Sequence, residues 1–182
     1  AREGYGSEII VSYFRDGSVE IEDFGRGVPV DFNSKENCFN WELVYCELYA
    51  GGKYDKSGGA NYEYSLGLNG LGACATQYAS RYMDVTVYRD GKKYDLHFER
   101  GENVGGLQIE ETNRKKTGTV TRWLPDLDVF TDIAIEKEYF EDVLKKQAIV
   151  NAGLKLIFRL ETENGFEKHE YFYEHGIRDY IA

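Results

Sequence analysis

The sequence predicts an α+β fold: a two-layer sandwich in which a mostly antiparallel sheet is covered by helices on one face. Three observations carry that expectation. Alternating or β-branched segments double back through short glycine turns, at Arg15-Asp16-Gly17, Asp90-Gly91 and Glu163-Asn164-Gly165. Helical periodicity is confined to a few stretches. The 182 residues, 42% hydrophobic and 15% aromatic, are enough to fill the core of one domain, so residues 1–182 are read as a single unit.

In order along the chain, Ala1 to Gly6 is a short charged opening that reads as the end of a helix, so the chain is expected to be a fragment of something longer. Glu8 to Phe14 is a β-branched strand, and Ser18 to Asp23 returns antiparallel to it and is stopped by Pro29. Asp31 to Asn37 is a polar loop. Trp41, Val44, Tyr45 and Leu48 recur at helical spacing as the core face of a helix. A region rich in Gly, Lys, Ser and Asp follows, with residues from about 51 to 72 read as a lid and the part from Gly51 to Asn61 expected to be poorly ordered without ligand. Leu71 to Ala79 is helical.

Arg81 to Asp90 and Lys92 to Arg100 form a hairpin, Gly101 to Gly106 a loop, and Leu107 to Glu110 and Gly118 to Trp123 two more strands. Asn113-Arg114-Lys115-Lys116 between them reads as a solvated basic turn. Glu136 to Asn151 is an amphipathic helix stopped by Gly153, Leu154 to Thr162 and Glu167 to Tyr173 a last hairpin, and His175 onward a further helix.

A net charge of −10 repels a phosphate backbone, so the chain itself is a poor holder of DNA. A nucleotide can still bind at a local site through helix N-termini and backbone N–H groups. Cys38, Cys46 and Cys74 lack metal spacing, and an odd count without a signal peptide fits reduced thiols in the cytoplasm. No apolar run reaches membrane-spanning length.

The most informative stretch is Asp23-Phe24-Gly25-Arg26-Gly27-Val28-Pro29, at a strand end. Its glycines allow a sharp turn and the close approach of a flat ligand, and its carboxylate can accept from an exocyclic amine such as adenine N6. Taken alone the motif fits a solvated hairpin turn equally well. Asp23-Phe24-Gly25 is not the kinase magnesium triplet, because the other kinase motifs are absent upstream. Gly67-Leu68-Asn69-Gly70-Leu71-Gly72 has neither dinucleotide-fold spacing nor a Walker ending. A glycine-rich loop entering a helix suits a triphosphate, or else a close helix contact.

Four motifs in order, Asp23 to Pro29, Ala50-Gly51-Gly52-Lys53-Tyr54, Gly67 to Gly72, and Thr117-Gly118-Thr119, resemble the N-terminal ATPase domain of the B subunits of bacterial type IIA topoisomerases, DNA gyrase and topoisomerase IV. That domain belongs to the ATPase superfamily of Hsp90, MutL and the histidine kinases. The Arg-Gly-x-Pro extension, the Ala-Gly-Gly-Lys stretch and the lid set the topoisomerase branch apart from chaperone and mismatch-repair relatives. The resemblance implies the Hsp90-like ATPase fold and an ATP site, with Mg²⁺ as cofactor.

It also implies the site's members. Asp23 reads adenine, directly and through a water shared with Thr119 and Gly27. Gly25 belongs to the same loop. Arg26, Pro29 and Arg89 form the rim where aminocoumarins bind. Lys53 approaches the phosphates, Tyr62 touches adenine, and Gly67, Leu68, Asn69, Gly70, Leu71 and Gly72 cradle the phosphates. The sequence departs from the family pattern at Asn69, where His is usual, at Leu66, where Gly is frequent, and at Phe24, where an acidic residue is usual. The family's general base and Mg²⁺ ligand belong to a helix expected before Ala1, so no catalytic residue and no metal ligand is assigned here, and this piece is expected not to turn over ATP. In the parent protein the resemblance implies self-dimerisation on ATP binding, and the A subunit and DNA as partners. A nucleotide-binding module without hydrolysis is the rival reading.

Overall fold

The computed structural model describes residues 5–50 and 71–181. The chain begins with the hairpin β1 (Glu8–Tyr13) and β2 (Val19–Asp23), continues through a two-stranded ribbon of β3 (Phe32–Asn33) and β4 (Cys38–Phe39), and enters α1 (Asn40–Tyr45). After α2 (Gly72–Tyr78) come β5 (Ser80–Arg89), β6 (Lys92–Glu99), β7 (Glu102–Glu111) and β8 (Gly118–Pro125). Helix α3 (Lys137–Val150) leads to β9 (Lys155–Thr162), β10 (Gly165–Tyr171) and α4 (Ile177–Ile181).

One eight-stranded sheet runs β10-β9-β1-β2-β8-β5-β6-β7. All its pairs are antiparallel except β1 with β9, which lie parallel. The expected α+β architecture is thus present, but the sheet is mixed. Parallel neighbours need a long crossover, and here nearly the whole chain separates β1 from β9, with α3 delivering the chain to β9.

The registers define the covered face. Phe158, Val11, Ile21, Thr121, Val85 and Leu96 stand opposite one another in a single row across β9, β1, β2, β8, β5 and β6. Two core clusters form on this face. One gathers Trp41, Val44 and Tyr45 of α1 with Met83, Val85, Val87, Leu96 and Phe98. The other gathers Leu144 and Ala148 of α3 with Val11, Val19, Leu156 and Phe158. Trp123 on β8 packs against both. Side chains one residue out of phase, such as Asp84, Lys93, Asp95 and His97, point to the opposite face and pair among themselves.

Several local expectations are corrected. The stretch from Gly101 to Gly106 is largely strand, since β7 starts at Glu102. Gly105 and Gly106 take φ of 87° and 67°, and the pairing with β6 shifts between Asp95 and His97. The two glycines therefore make an irregularity within the strand rather than ending it. The polar loop 31–37 contributes Phe32–Asn33 to a small ribbon, which Phe32 and Phe39 close edge-to-face. The helix through Trp41 stops at Tyr45, so Leu48 and Tyr49 lie beyond it and are exposed. The segment around Arg114 is no free turn: its guanidinium meets Glu22 at 3.0 Å and lies 3.9 Å from the centre of the Tyr88 ring. The poor order expected of residues 51–61 concerns a stretch outside the described residues.

Candidate nucleotide site

Strand β2 ends at Asp23, on the helix-covered face of the sheet. Its Oδ1 accepts the Gly25 N–H at 2.8 Å, which folds the Asp-x-Gly-x-Gly loop back over the strand end. Burial pushes the Asp23 pKa above its usual value, opposed by the lowering effect of the Gly25 and Thr119 backbone N–H groups. A carboxylate held this way is desolvated yet anchored, which favours a directed hydrogen bond from a ligand donor.

Strand β8 brings Thr119 alongside, 5% exposed. Its Oγ1 accepts the Val28 N–H at 3.0 Å. A hydroxyl that accepts still has its own hydrogen to give, so Thr119 can tie the loop and donate as well. Thr117 Oγ1 donates to the Gly25 carbonyl at 2.6 Å, and Arg89 Nη1 donates to the Gly27 carbonyl at 3.3 Å. The loop is therefore clamped from two separate strand ends.

Two glycines are required by this approach. Gly27 has φ of 82°, and a Cβ there would come within 2.9 Å of Val87 Cγ1 and 3.0 Å of the Tyr88 carbonyl. A Cβ at Gly118 would collide with the Asp23 carbonyl oxygen. In the sequence Gly118 is only one letter of a motif; its steric role follows from the register of β2 against β8.

The floor of the site is Ile21. In the row described above Phe158, Val11, Val85 and Leu96 are all buried, whereas Ile21 remains 36% exposed on the same covered face. The α1 cluster closes one side and the α3 cluster the other, and Ile21 lies in the gap, on the same strand face as Asp23. An apolar floor with a carboxylate and a hydroxyl at one end suits a flat heteroaromatic ring bearing an amine. Sequence reasoning missed Ile21 because its alternation with Val19 and Asp23 is that of any strand residue.

Of the other expected members, Arg26 is exposed with its guanidinium 5.4 Å from the centre of the Tyr5 ring, Pro29 is half-buried, and Arg89 also pairs with Asp90 at 3.3 Å. Phe24 turns away to Arg114 and Lys116, whose charges lie 5.7 Å and 5.3 Å from its ring centre in cation–π contact. Leu71 is the N-cap of α2 and Gly72 its first residue, with no capping side chain on the helix N–H groups. Lys53, Tyr62, Gly67, Leu68, Asn69 and Gly70 lie outside the described residues. Among the described residues no group of three or more His, Cys, Asp and Glu stands together to hold a metal ion.

No family model matches the chain. It is 38% identical over 182 residues to the B subunit of DNA gyrase from Thermotoga maritima and 36% identical over 184 residues to that of Synechocystis, in each case over 100% of this chain. It is 35% identical over 183 residues to the B subunit of DNA topoisomerase 4 from Salmonella typhimurium. The 43K ATPase domain of Thermus thermophilus gyrase B in complex with an aminocoumarin matches 98% of the chain with a TM-score of 0.81 at 29% identity. The chain belongs with the ATPase domains of bacterial type IIA topoisomerase B subunits. The topoisomerase IV ATP-binding domain of Francisella tularensis, in complex with a small-molecule inhibitor, fits almost as well, with a TM-score of 0.80 at 28% identity over 98% of the chain. The chain spans 17% to 28% of the length of these curated relatives, and 43% to 46% of the two solved chains. The Asp23 loop and Thr119 stand side by side where β2 ends and β8 begins. Among the described residues no helix is long and apolar enough to cross a membrane.

Proposed function

We propose that this chain is ATP-binding sequence of a DNA gyrase B subunit, and that in the intact protein ATP binding and hydrolysis there drive DNA strand passage and supercoiling. The observation that carries the reading is the half-buried Asp23 carboxylate beside Thr119, opening onto the uncovered Ile21. Asp23 accepts the adenine amine, and Thr119 with Gly27 orders a water against the ring. Gly25 lets the backbone approach, and Ile21 supports the ring from below. Arg26, Pro29 and Arg89 form the rim and the aminocoumarin contact. Lys53, Gly67, Leu68, Asn69, Gly70, Leu71 and Gly72 serve the phosphates, and Tyr62 closes on adenine. Mg²⁺ accompanies the nucleotide, ATP-bound protomers self-dimerise, and the gyrase A subunit and DNA are the partners, in the cytoplasm. The net charge of −10 agrees with a chain that does not itself hold DNA.

Calorimetric titration with a non-hydrolysable ATP analogue tests the pocket. Asp23→Asn keeps the side-chain oxygen that accepts from Gly25 but loses the charge, and should weaken binding about tenfold to a hundredfold, with the fold intact by circular dichroism. Unchanged affinity in Asp23→Asn would remove adenine reading from Asp23. A topoisomerase IV B subunit is the second reading, favoured by the near-equal similarity to both paralogues. Supercoiling of relaxed DNA by the intact protein with its A subunit supports gyrase; decatenation without supercoiling supports topoisomerase IV.

A further inference from the structure

We propose a second anion site, distinct from the nucleotide pocket, in the groove between the β5–β6 turn and the 112–117 segment, taking a compact, multiply charged phosphate-class anion. The groove has a volume of about 300 Å³, and its lining includes Arg89, Lys92, Arg114, Lys115 and Lys116, with no carboxylate among the lining residues. Five cations around so small a space, in a chain of net charge −10, are a local reversal of sign.

Their engagements differ. Arg114 is held by Glu22 and stacked on Tyr88, and Arg89 is held by Asp90 and the Gly27 carbonyl, so these two guanidiniums are pre-positioned. Among the described residues Lys92 and Lys115 form no ion pair, and the Lys116 ammonium lies 5.3 Å from the centre of the Phe24 ring. Fixed guanidiniums with unpaired ammonium groups beside them are what a phosphate-class anion needs: oriented donors at one side, adaptable charge at the other.

Size and surroundings select the ligand. Glu111 stands across from Lys92 in the β6–β7 ladder, Asp90 is exposed at the turn and Glu22 lies behind Arg114. A long polyanion laid across the groove would meet these carboxylates, whereas a compact one would not. The groove also shares its walls with the adenine loop, through the bonds from Arg89 to Gly27 and from Thr117 to Gly25.

The test is a titration of the isotopically labelled chain with pyrophosphate at low salt, followed by amide nuclear magnetic resonance. Saturable shifts are expected at Gly91, Asn113 and Lys115. Lys92→Gln and Lys115→Gln should each weaken them roughly threefold to tenfold, whereas Lys115→Arg should retain them. Shifts confined to Leu71 and Gly72 would place pyrophosphate in the phosphate cradle alone and overturn the second site, as would no shift at all. A short DNA duplex that moves the groove amides as strongly as pyrophosphate does would overturn the compact-anion assignment.

Discussion

The two faces of the eight-stranded sheet are built from the same strands by opposite rules. On the covered face, Phe158, Val11, Val85 and Leu96 are sealed in the α1 and α3 clusters, whereas in the same row Ile21 is left open and Thr121 beside it is only partly covered. The opposite face is a set of charged ladders: Lys93 with Asp95 and Glu110, His97 with Asp84 and Glu99, and Arg122 with Ser18. Apolar packing is intolerant of gaps, so a gap on the covered face marks a place kept for a ligand. The charged face has many partially exposed partners, and loss of one pair changes little. The difference teaches that the candidate nucleotide site lies where packing is interrupted, not among the paired charges of the opposite face.

The comparison breaks most visibly at the sealed end of the row. Phe158→Ala removes a fully buried ring stacked on Phe140 at 5.1 Å, and should cost about 3–5 kcal/mol in urea unfolding. Gly118→Ala comes next. The added Cβ must push against the Asp23 carbonyl, costing about 1–3 kcal/mol and moving the Asp23 loop, so ATP-analogue affinity should fall together with stability. A Gly118→Ala protein with unchanged affinity would detach the β8 start from the site. Ile21→Ala sharpens the contrast. It lies in the same row as Phe158, yet it should cost only about 1 kcal/mol in stability while weakening the ATP analogue roughly tenfold. Equal losses for Ile21→Ala and Val11→Ala in unfolding, with no loss of binding, would make the gap an ordinary core position.

Much of this is legible in the sequence, for reasons that can be named. Asp90-Gly91 and Asn164-Gly165 announce their hairpins because few residues tolerate positive φ in a tight turn; Asp90, Gly91 and Gly165 have φ of 52°, 72° and 118°. Asp23 and Thr119 are paired in the sequence only through a family resemblance, and the antiparallel β2–β8 ladder gives that pairing a physical cause. The parallel β1–β9 contact is not legible, because it depends on which strand end the α3 crossover reaches. Ile21 stays hidden because alternation tells which face a residue takes but not whether anything covers it there. The Gly105–Gly106 irregularity reads as a loop because glycine pairs signal both.

The smallest expected effect belongs to the charged face and is a matter of pH. Both ring nitrogens of His97 meet carboxylates, Nδ1 with Asp84 at 2.5 Å and Nε2 with Glu99 at 3.1 Å. A neutral imidazole has one N–H and cannot donate to both, so the imidazolium fits the pair best. The hydrogen bonds to Asp84 and then Glu99 raise the His97 pKa above 6.5, against a lowering by burial. A folded-state pKa above the unfolded one means that the stabilisation is complete below pH 6.5 and is lost as pH rises through the higher folded value. With His97 and both its partners substantially exposed, solvent and salt screen the effect. The difference in melting temperature between the natural chain and His97→Gln should therefore be small, favour the natural chain at about pH 6, shrink by about pH 8.5 and fade in high salt. A difference that stays constant across that range would show that the imidazole is held by packing rather than by its two carboxylates.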